Sequence, residues 1–140
     1  MKRIFLGGTC EGYNWRKDLV DSLEGVENIE LFNPVVKVWD EEAIIKENQY
    51  KENCDISLYV ITPFMEGCYS IAEVVEDSNK RPEKTVFCYI PKIVIGKEMR
   101  KFTNKMERSL KATCKIIEAN GGKTFKGMEE LVDYLKTTLK

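Results

Sequence analysis

Ile56-Ser57-Leu58-Tyr59-Val60-Ile61, then Thr62-Pro63, then a glycine-bearing loop and Cys68-Tyr69-Ser70-Ile71-Ala72-Glu73: this stretch decides how the chain folds. Its first six residues are the most apolar run in the sequence, which predicts a central strand buried on both faces. Thr62-Pro63 ends that strand. Ser70 to Asp77 reads as a helix, stopped near Asn79 and Arg81-Pro82. Glu73 then falls in the first turn of a helix, just past the C-terminal end of a central strand. Open α/β sheets bind ligands along that edge.

Working outward, strand and helix alternate from end to end. Residues 3–8 read as a buried strand leading into a glycine-rich turn. Asn14 is placed to cap a helix over about 15–24, with Trp15, Leu19 and Leu23 at four-residue spacing. A short strand runs from Ile29 to Phe32 and ends at Asn33-Pro34. Asp40 is placed to cap a helix over about 41–52, which carries Ala43, Ile44 and Ile45 on an otherwise charged surface. Downstream, Thr85 to Ile90 is a fourth strand, ended by Pro91. A mobile-looking loop through Gly96 leads to a longer helix striped by Met99, Phe102, Met106, Leu110, Cys114 and Ile117 and stopped at Gly121-Gly122. Thr124-Phe125 is a short edge strand. Residues 128–139 form the last helix, with Met128, Leu131, Val132, Leu135 and Leu139 inward. Such alternation implies right-handed crossovers and a mostly parallel sheet covered on both faces. The expectation is a flavodoxin-like, Rossmann-like α/β three-layer sandwich of five strands in the order 2-1-3-4-5.

A length of 140 residues fits one domain, residues 1–140, and is enough to bury a real core. Lysine plus arginine, 22, nearly balances aspartate plus glutamate, 23, so no basic field favours a nucleic-acid polymer. No apolar run approaches the roughly 18 to 20 residues that cross a bilayer, so no membrane partner is expected. The N-terminal apolar segment is too short for a signal peptide. Five cysteines, without a CxxC pair, signal neither a disulfide framework nor a zinc site. The expected compartment is a reducing cytoplasm. Histidine is absent, which removes Ser-His and Cys-His chemistry and leaves carboxylates for acid–base work.

Three strand-exit loops should converge on one edge. The first is Gly7-Gly8-Thr9-Cys10-Glu11-Gly12, followed by Tyr13-Asn14-Trp15-Arg16. Its glycines let backbone amides approach a ligand, and the next helix N-terminus favours negative charge. Arg16 could hold a phosphate or carboxylate through its planar fork. The alternative is a tight turn with Trp15 in the core and Arg16 solvated. The second exit is Asn33-Pro34-Val35-Val36-Lys37-Val38-Trp39-Asp40. Trp39 could stack on a flat base, or fill the core; Asp40 could bind a sugar hydroxyl, or cap the helix. The third carries Phe64, Met65, Glu66 and Gly67, with Glu66 a possible second carboxylate. Asp55 precedes the central strand and belongs to the opposite edge. Glu73 has two readings as well. Ser70 and Glu73 match a capping box, each satisfying the other's backbone amide. Alternatively Glu73 faces the crevice as nucleophile or base, kept ionised by the helix N-terminus and oriented by Ser70.

On these loops the chain resembles the nucleoside 2-deoxyribosyltransferase superfamily, in its short bacterial and phage-type branch. Phe5-Leu6-Gly7-Gly8-Thr9 with Trp15-Arg16, Asn33-Pro34 with Trp39-Asp40, and Tyr69-Ser70-Ile71-Ala72-Glu73 carry the resemblance, over about residues 4–79. It implies an enzyme in which Glu73 attacks the anomeric carbon of a 2'-deoxyribonucleoside or its 5'-monophosphate. The base leaves, a covalent deoxyribosyl-glutamate forms, and a second base or water collects the sugar. Gly7, Gly8 and Thr9 would contact the sugar or phosphate, with Trp15, Arg16, Asn33 and Tyr69 completing the binding set. Trp39 and Phe64 would flank the base. Glu66, Asp40 and Tyr69 are the candidates for protonating the leaving base. Neither metal nor cofactor is implied, and a homo-oligomer, dimer or larger, is. Two other readings stay open: a catalytically idle nucleotide-binding relative, and a glycohydrolase acting on NAD.

Overall fold

The computed structural model describes residues 1–35 and 38–139. In chain order its elements begin with β1 (Lys2–Gly8), α1 (Trp15–Ser22), β2 (Ile29–Phe32), α2 (Glu41–Asn53) and β3 (Ile56–Ile61). They continue with α3 (Tyr69–Lys80), β4 (Thr85–Tyr89), β5 (Lys92–Ile95) and β6 (Glu98–Lys101). The chain closes with α4 (Asn104–Asn120), β7 (Lys123–Lys126) and α5 (Met128–Thr138). Strands β2-β1-β3-β4-β7 form one sheet in that order, every neighbouring pair parallel. This is the flavodoxin-like order expected from the sequence, with β7 as the fifth strand.

Period-two alternation divides the core into two layers. Ile4, Leu6, Leu58, Val60, Val86 and Cys88 face α1 and α5, packing on Trp15, Leu19, Leu131 and Leu135. Phe5, Tyr59, Ile61, Phe87 and Tyr89 face the other way, against Val74 of α3 and Leu110 and Ile117 of α4. β3 is buried at all six positions, as its unbroken apolar run predicts for a central strand.

The segment after β4 departs from expectation. It is not a loop: β5 and β6 pair antiparallel as a hairpin, with Ile95 opposite Glu98 across Gly96-Lys97. Gly96 turns it at a φ of 58°, a left-handed conformation that suits glycine. The β-branched residues Ile93, Val94 and Ile95 favour the extended state, and Ile93 buries itself in the core. Met99 therefore lies on a strand and Phe102 ahead of α4, so neither belongs to that helix's stripe. Thr103 caps α4, its hydroxyl accepting from the Met106 amide at 3.1 Å.

At the sheet's N-terminal edge, the Asp55 carboxylate accepts the Arg3 amide at 2.8 Å, a strand-end role far from the other edge. α3 is anchored from below. Tyr59 donates its hydroxyl proton to Asp77, and Arg81 pairs with the same carboxylate at 2.6 Å. Asn120 of α4 donates to the Ser78 hydroxyl at 3.0 Å. These bonds fix α3 against the sheet, and with it the direction of its first turn.

Candidate functional site

A cavity of about 310 Å³ opens at the C-terminal edge of the sheet, between the exits of β1 and β2 and the helices α2 and α3. The β1 exit supplies Gly7, Gly8, Cys10 and Arg16 to its wall. Gly8 has φ 121°, and a Cβ there would lie 2.0 Å from the Val60 carbonyl oxygen. Only glycine lets β1 end this close to β3 and open the hollow above it.

Arg16 is buried rather than solvated. Its Nε donates to the Leu6 carbonyl at 3.1 Å and its Nη1 to that of Thr9 at 3.0 Å. The Gly8 carbonyl is 3.5 Å from Nη2. The guanidinium stacks 4.4 Å over the Trp15 ring, and burial pulls its pKa below the ordinary value, opposed by Cys10 and Glu11. Three of its five N–H groups thus hold the turn, and an edge of it faces the cavity. Thr9 belongs to the same rivet. Its carbonyl accepts the Trp15 indole N–H at 2.8 Å, and its hydroxyl accepts the Thr62 amide at 3.0 Å. Thr9 and Trp15 support the wall and do not line it.

From the β2 exit come Pro34, Val35 and Trp39, the last 54% exposed at the mouth. Asn33 turns the chain by accepting the Val35 amide at 3.0 Å. Val36 and Lys37, quoted with this loop above, lie outside the described residues. Asp40 is the helix cap: its carboxylate accepts the Ala43 amide at 2.8 Å, and it does not line the cavity. The third exit divides differently from expectation. Tyr69, Ser70 and Glu73 line the cavity. Phe64 does not, because the Thr62-Pro63 corner sends it to the α1 side of the sheet. There it packs on Gly12, whose φ of 69° and missing side chain make room for the ring, and Arg100 sits 4.5 Å over it.

The centre of the site is a buried ionic cluster that the sequence reading missed. α2 buries Glu47 and Lys51 and leaves Ile44 and Ile45 exposed, the reverse of an ordinary amphipathic helix. The Lys51 ammonium donates to the Glu73 carboxylate and lies 3.4 Å from that of Glu47. Side-chain exposures are 9% for Lys51, 10% for Glu47 and 13% for Glu73. Glu47 and Glu73 reach the cavity; Lys51 sits behind them. The expected capping box is absent: α3 begins at Tyr69, so Ser70 is already inside the helix, and Glu73 turns to Lys51. Lys51, not Ser70, orients Glu73.

Burial and the neighbouring Glu73 charge push the Glu47 carboxyl up to about 7, with Lys51 opposing. Burial works against the Lys51 charge, but Glu73, Glu47 and Asp77 outweigh it and hold the ammonium above its ordinary value. The cavity therefore presents one carboxylate bound directly to a cation and a second carboxyl able to hold or release a proton near neutrality. That division suits a nucleophile beside a general acid–base. Glu66, on the exposed third loop, and Asp40 stand outside the cavity, whereas Tyr69 borders it. One signal for Glu47 was available in the sequence. Glu47 and Lys51 are one helical turn apart, on the stripe that leads to buried Cys54.

Comparison with curated proteins finds no match. Among the described residues, no helix is long and apolar enough to cross a membrane. The profile of the family described as nucleoside 2-deoxyribosyltransferase like matches residues 1–93, from β1 into β5, a span that contains every residue lining the cavity. With two thirds of its length matched, an α/β sheet of the expected order and a carboxylate-lined cavity at its C-terminal edge, the chain belongs to the nucleoside 2-deoxyribosyltransferase-like family, which points to glycosyl transfer on nucleosides.

Proposed function

We propose that the protein transfers 2-deoxyribose between nucleobases through a covalent intermediate on Glu73. The observation that carries this reading is the pairing of Glu73 with Lys51 beside a proton-holding Glu47, both carboxyl groups facing one cavity. A Glu73 oxygen attacks the anomeric carbon as the C–N bond to the base breaks. The electron pair of that bond goes to the base nitrogen, which takes the proton from Glu47. A second base then attacks the same carbon from the vacated side, its N–H proton passing to the Glu47 carboxylate as the ester bond to Glu73 breaks. Two inversions retain configuration. Glu73 lies past the first turn of α3 and not within it, as the sequence had suggested, so the Lys51 ammonium and not the helix dipole is the positive partner of its carboxylate.

Trp39 offers an aromatic face at the mouth for the flat base. Gly7 and Gly8 allow close approach of the sugar, and Tyr69 and Ser70 supply hydroxyls to it. Trp39 and Tyr69 at the mouth, and Val38, Ile44 and Ile45 close to them in sequence or on α2, are all 40% exposed or more, apolar surface that a second subunit would cover. Assembly as a homo-oligomer with closed cavities follows, and light scattering behind size exclusion measures it. We place the protein in the cytoplasm on its five free thiols.

Incubation with deoxyinosine and free adenine tests the reaction. New deoxyadenosine supports transfer, hypoxanthine without deoxyadenosine makes the protein a hydrolase, and a thermal shift without turnover makes it a binder. Glu73→Gln should lower the rate by at least ~1000-fold while the fold persists. Full turnover in that variant would remove Glu73 from the mechanism. Mass spectrometry of protein trapped with a 2-fluoro-substituted deoxynucleoside reports the attached residue directly.

A further inference from the structure

We infer that Lys51 is a positioning residue that assigns the single proton of the Glu47–Glu73 pair to Glu47 and so keeps Glu73 the nucleophile. The inference rests on the reaction proposed above, but its physical content is independent of turnover.

Two carboxyl groups in one water-poor hollow do not both ionise freely; they tend to share a proton. Burial favours a proton on Glu47, but the two side chains are almost equally buried, at 10% and 13% exposed, so burial discriminates only weakly between them, and on Glu73 the proton would extinguish the nucleophile. Lys51 breaks the symmetry. It bonds Glu73 directly and approaches Glu47 only to 3.4 Å, so the cation favours the charged form of Glu73 more strongly. The lysine is itself held in place. Its ammonium lies 5.3 Å from the Phe5 ring centroid and 5.7 Å from that of Tyr59.

Among the described residues, the charged and titratable groups that act on it are Glu47 from its own helix, Glu73, Asp77 and the exposed Glu76 from α3, and the Tyr59 phenol from β3. Glu76 is engaged by Lys80. Asp77 is engaged elsewhere, by Tyr59 and by Arg81 at 2.6 Å. The phenol, pushed far up by burial and by Asp77, carries no charge. That leaves the two glutamates to divide the Lys51 charge. Since Lys51 does not line the cavity, it acts through them and not on the substrate.

The test combines carboxyl carbon NMR on glutamate-labelled protein with pH profiles of deoxyinosine cleavage, for wild type, Lys51→Met and Lys51→Arg. In wild type, the signal that titrates near 7 should be the one lost in Glu47→Gln. In Lys51→Met the neutral-range titration should no longer belong to the Glu47 signal alone. The acidic limb of kcat/KM should then move up by about one pH unit, a roughly tenfold loss below neutrality. Lys51→Arg, which keeps the charge, should recover most of that loss. If Lys51→Met does not fold, the wild-type assignment still decides: a neutral-range titration belonging to Glu73 overturns the inference. An unchanged profile in folded Lys51→Met overturns it too and leaves the reaction standing. Carbon titrations as described, in a protein that cleaves no nucleoside, would uphold the role of Lys51 and refute the proposed function.

Discussion

Replacing Glu47 by glutamine should convert a pH-dependent stability into a flat one. The folded protein holds the Glu47 proton up to about 7, against an ordinary value of 4.5. A carboxyl whose folded value is raised stabilises the fold fully below its unfolded value, and that contribution is lost as pH rises through the folded value. The window is therefore about 4.5 to about 7. At about 1.4 kcal/mol per pH unit, the loss across it reaches about 3 kcal/mol. Glutamine mimics the protonated carboxyl, keeps the Lys51–Glu73 ion pair and has nothing to titrate. Ionisable groups outside the Glu47–Lys51–Glu73 cluster are common to both chains and cancel in the comparison. Thermal unfolding followed by circular dichroism between about pH 5 and pH 8 is the assay. The variant's Tm relative to wild type should rise by about 10 °C across that range, at about 3 °C per kcal/mol for a chain this size. A Tm difference that stays level over the whole range would refute the assignment of Glu47 as the proton carrier.

Three further substitutions probe the walls. Gly8→Ala forces a Cβ to within 2.0 Å of the Val60 carbonyl oxygen at a φ of 121°, and should cost on the order of 3 kcal/mol or more in urea unfolding. Trp39→Ala should leave Tm almost unchanged, the side chain being 54% exposed, while KM for a nucleoside rises by roughly tenfold through lost stacking; an unchanged KM would detach the ring from the base. Arg16→Ala removes the side-chain donors to the Leu6 and Thr9 carbonyls, leaving Thr9 only its bond from the Trp15 indole, and should cost about 2 kcal/mol. Because most of its donors serve the backbone, kcat/KM should fall by the same factor for a deoxynucleoside and its 5'-monophosphate, and a loss confined to the monophosphate would give Arg16 a phosphate-binding role.

What the sequence disclosed and what it hid divide along physical lines. The sheet was legible because its inner strands are apolar runs closed by proline or glycine; β2 and β3 fall where expected, at Ile29–Phe32 and Ile56–Ile61. The hairpin was not, because Met99 and Phe102 happen to fall in register with the apolar stripe of α4. Thr103, whose hydroxyl caps that helix, carried the correction. At the site, Gly7, Gly8, Arg16, Trp39, Tyr69, Ser70 and Glu73 were placed by their loops at the C-terminal edge, and all seven line the cavity. Asn33, Asp40 and Thr9 stand beside it with backbone duties that short polar side chains near loops commonly take. Glu47 and Lys51 escaped because charged residues on a helix are ordinarily solvated. The one sequence signal, their shared stripe with Cys54, is too slight to show that α2 turns its ionic face inward.

That inversion also separates an enzyme from an idle binder. Burying a lysine between two glutamates carries a desolvation cost that hydrophobic residues of similar volume avoid, often with a gain of about 1 to 4 kcal/mol. A chain under selection for folding alone gains nothing from such a cluster, and a module that merely encloses a nucleoside has no need of a carboxyl that titrates at the working pH. The triple variant Glu47→Leu, Lys51→Met, Glu73→Leu puts the two on opposite sides. It removes all three charges together, leaving no orphaned ion, and should raise Tm by several degrees while abolishing base exchange. Nucleoside affinity, carried by Trp39 and the glycine-lined wall, should fall far less than turnover. Should the triple variant instead unfold at lower temperature than wild type, the cluster would be serving the fold. Its presence would then say nothing in favour of chemistry.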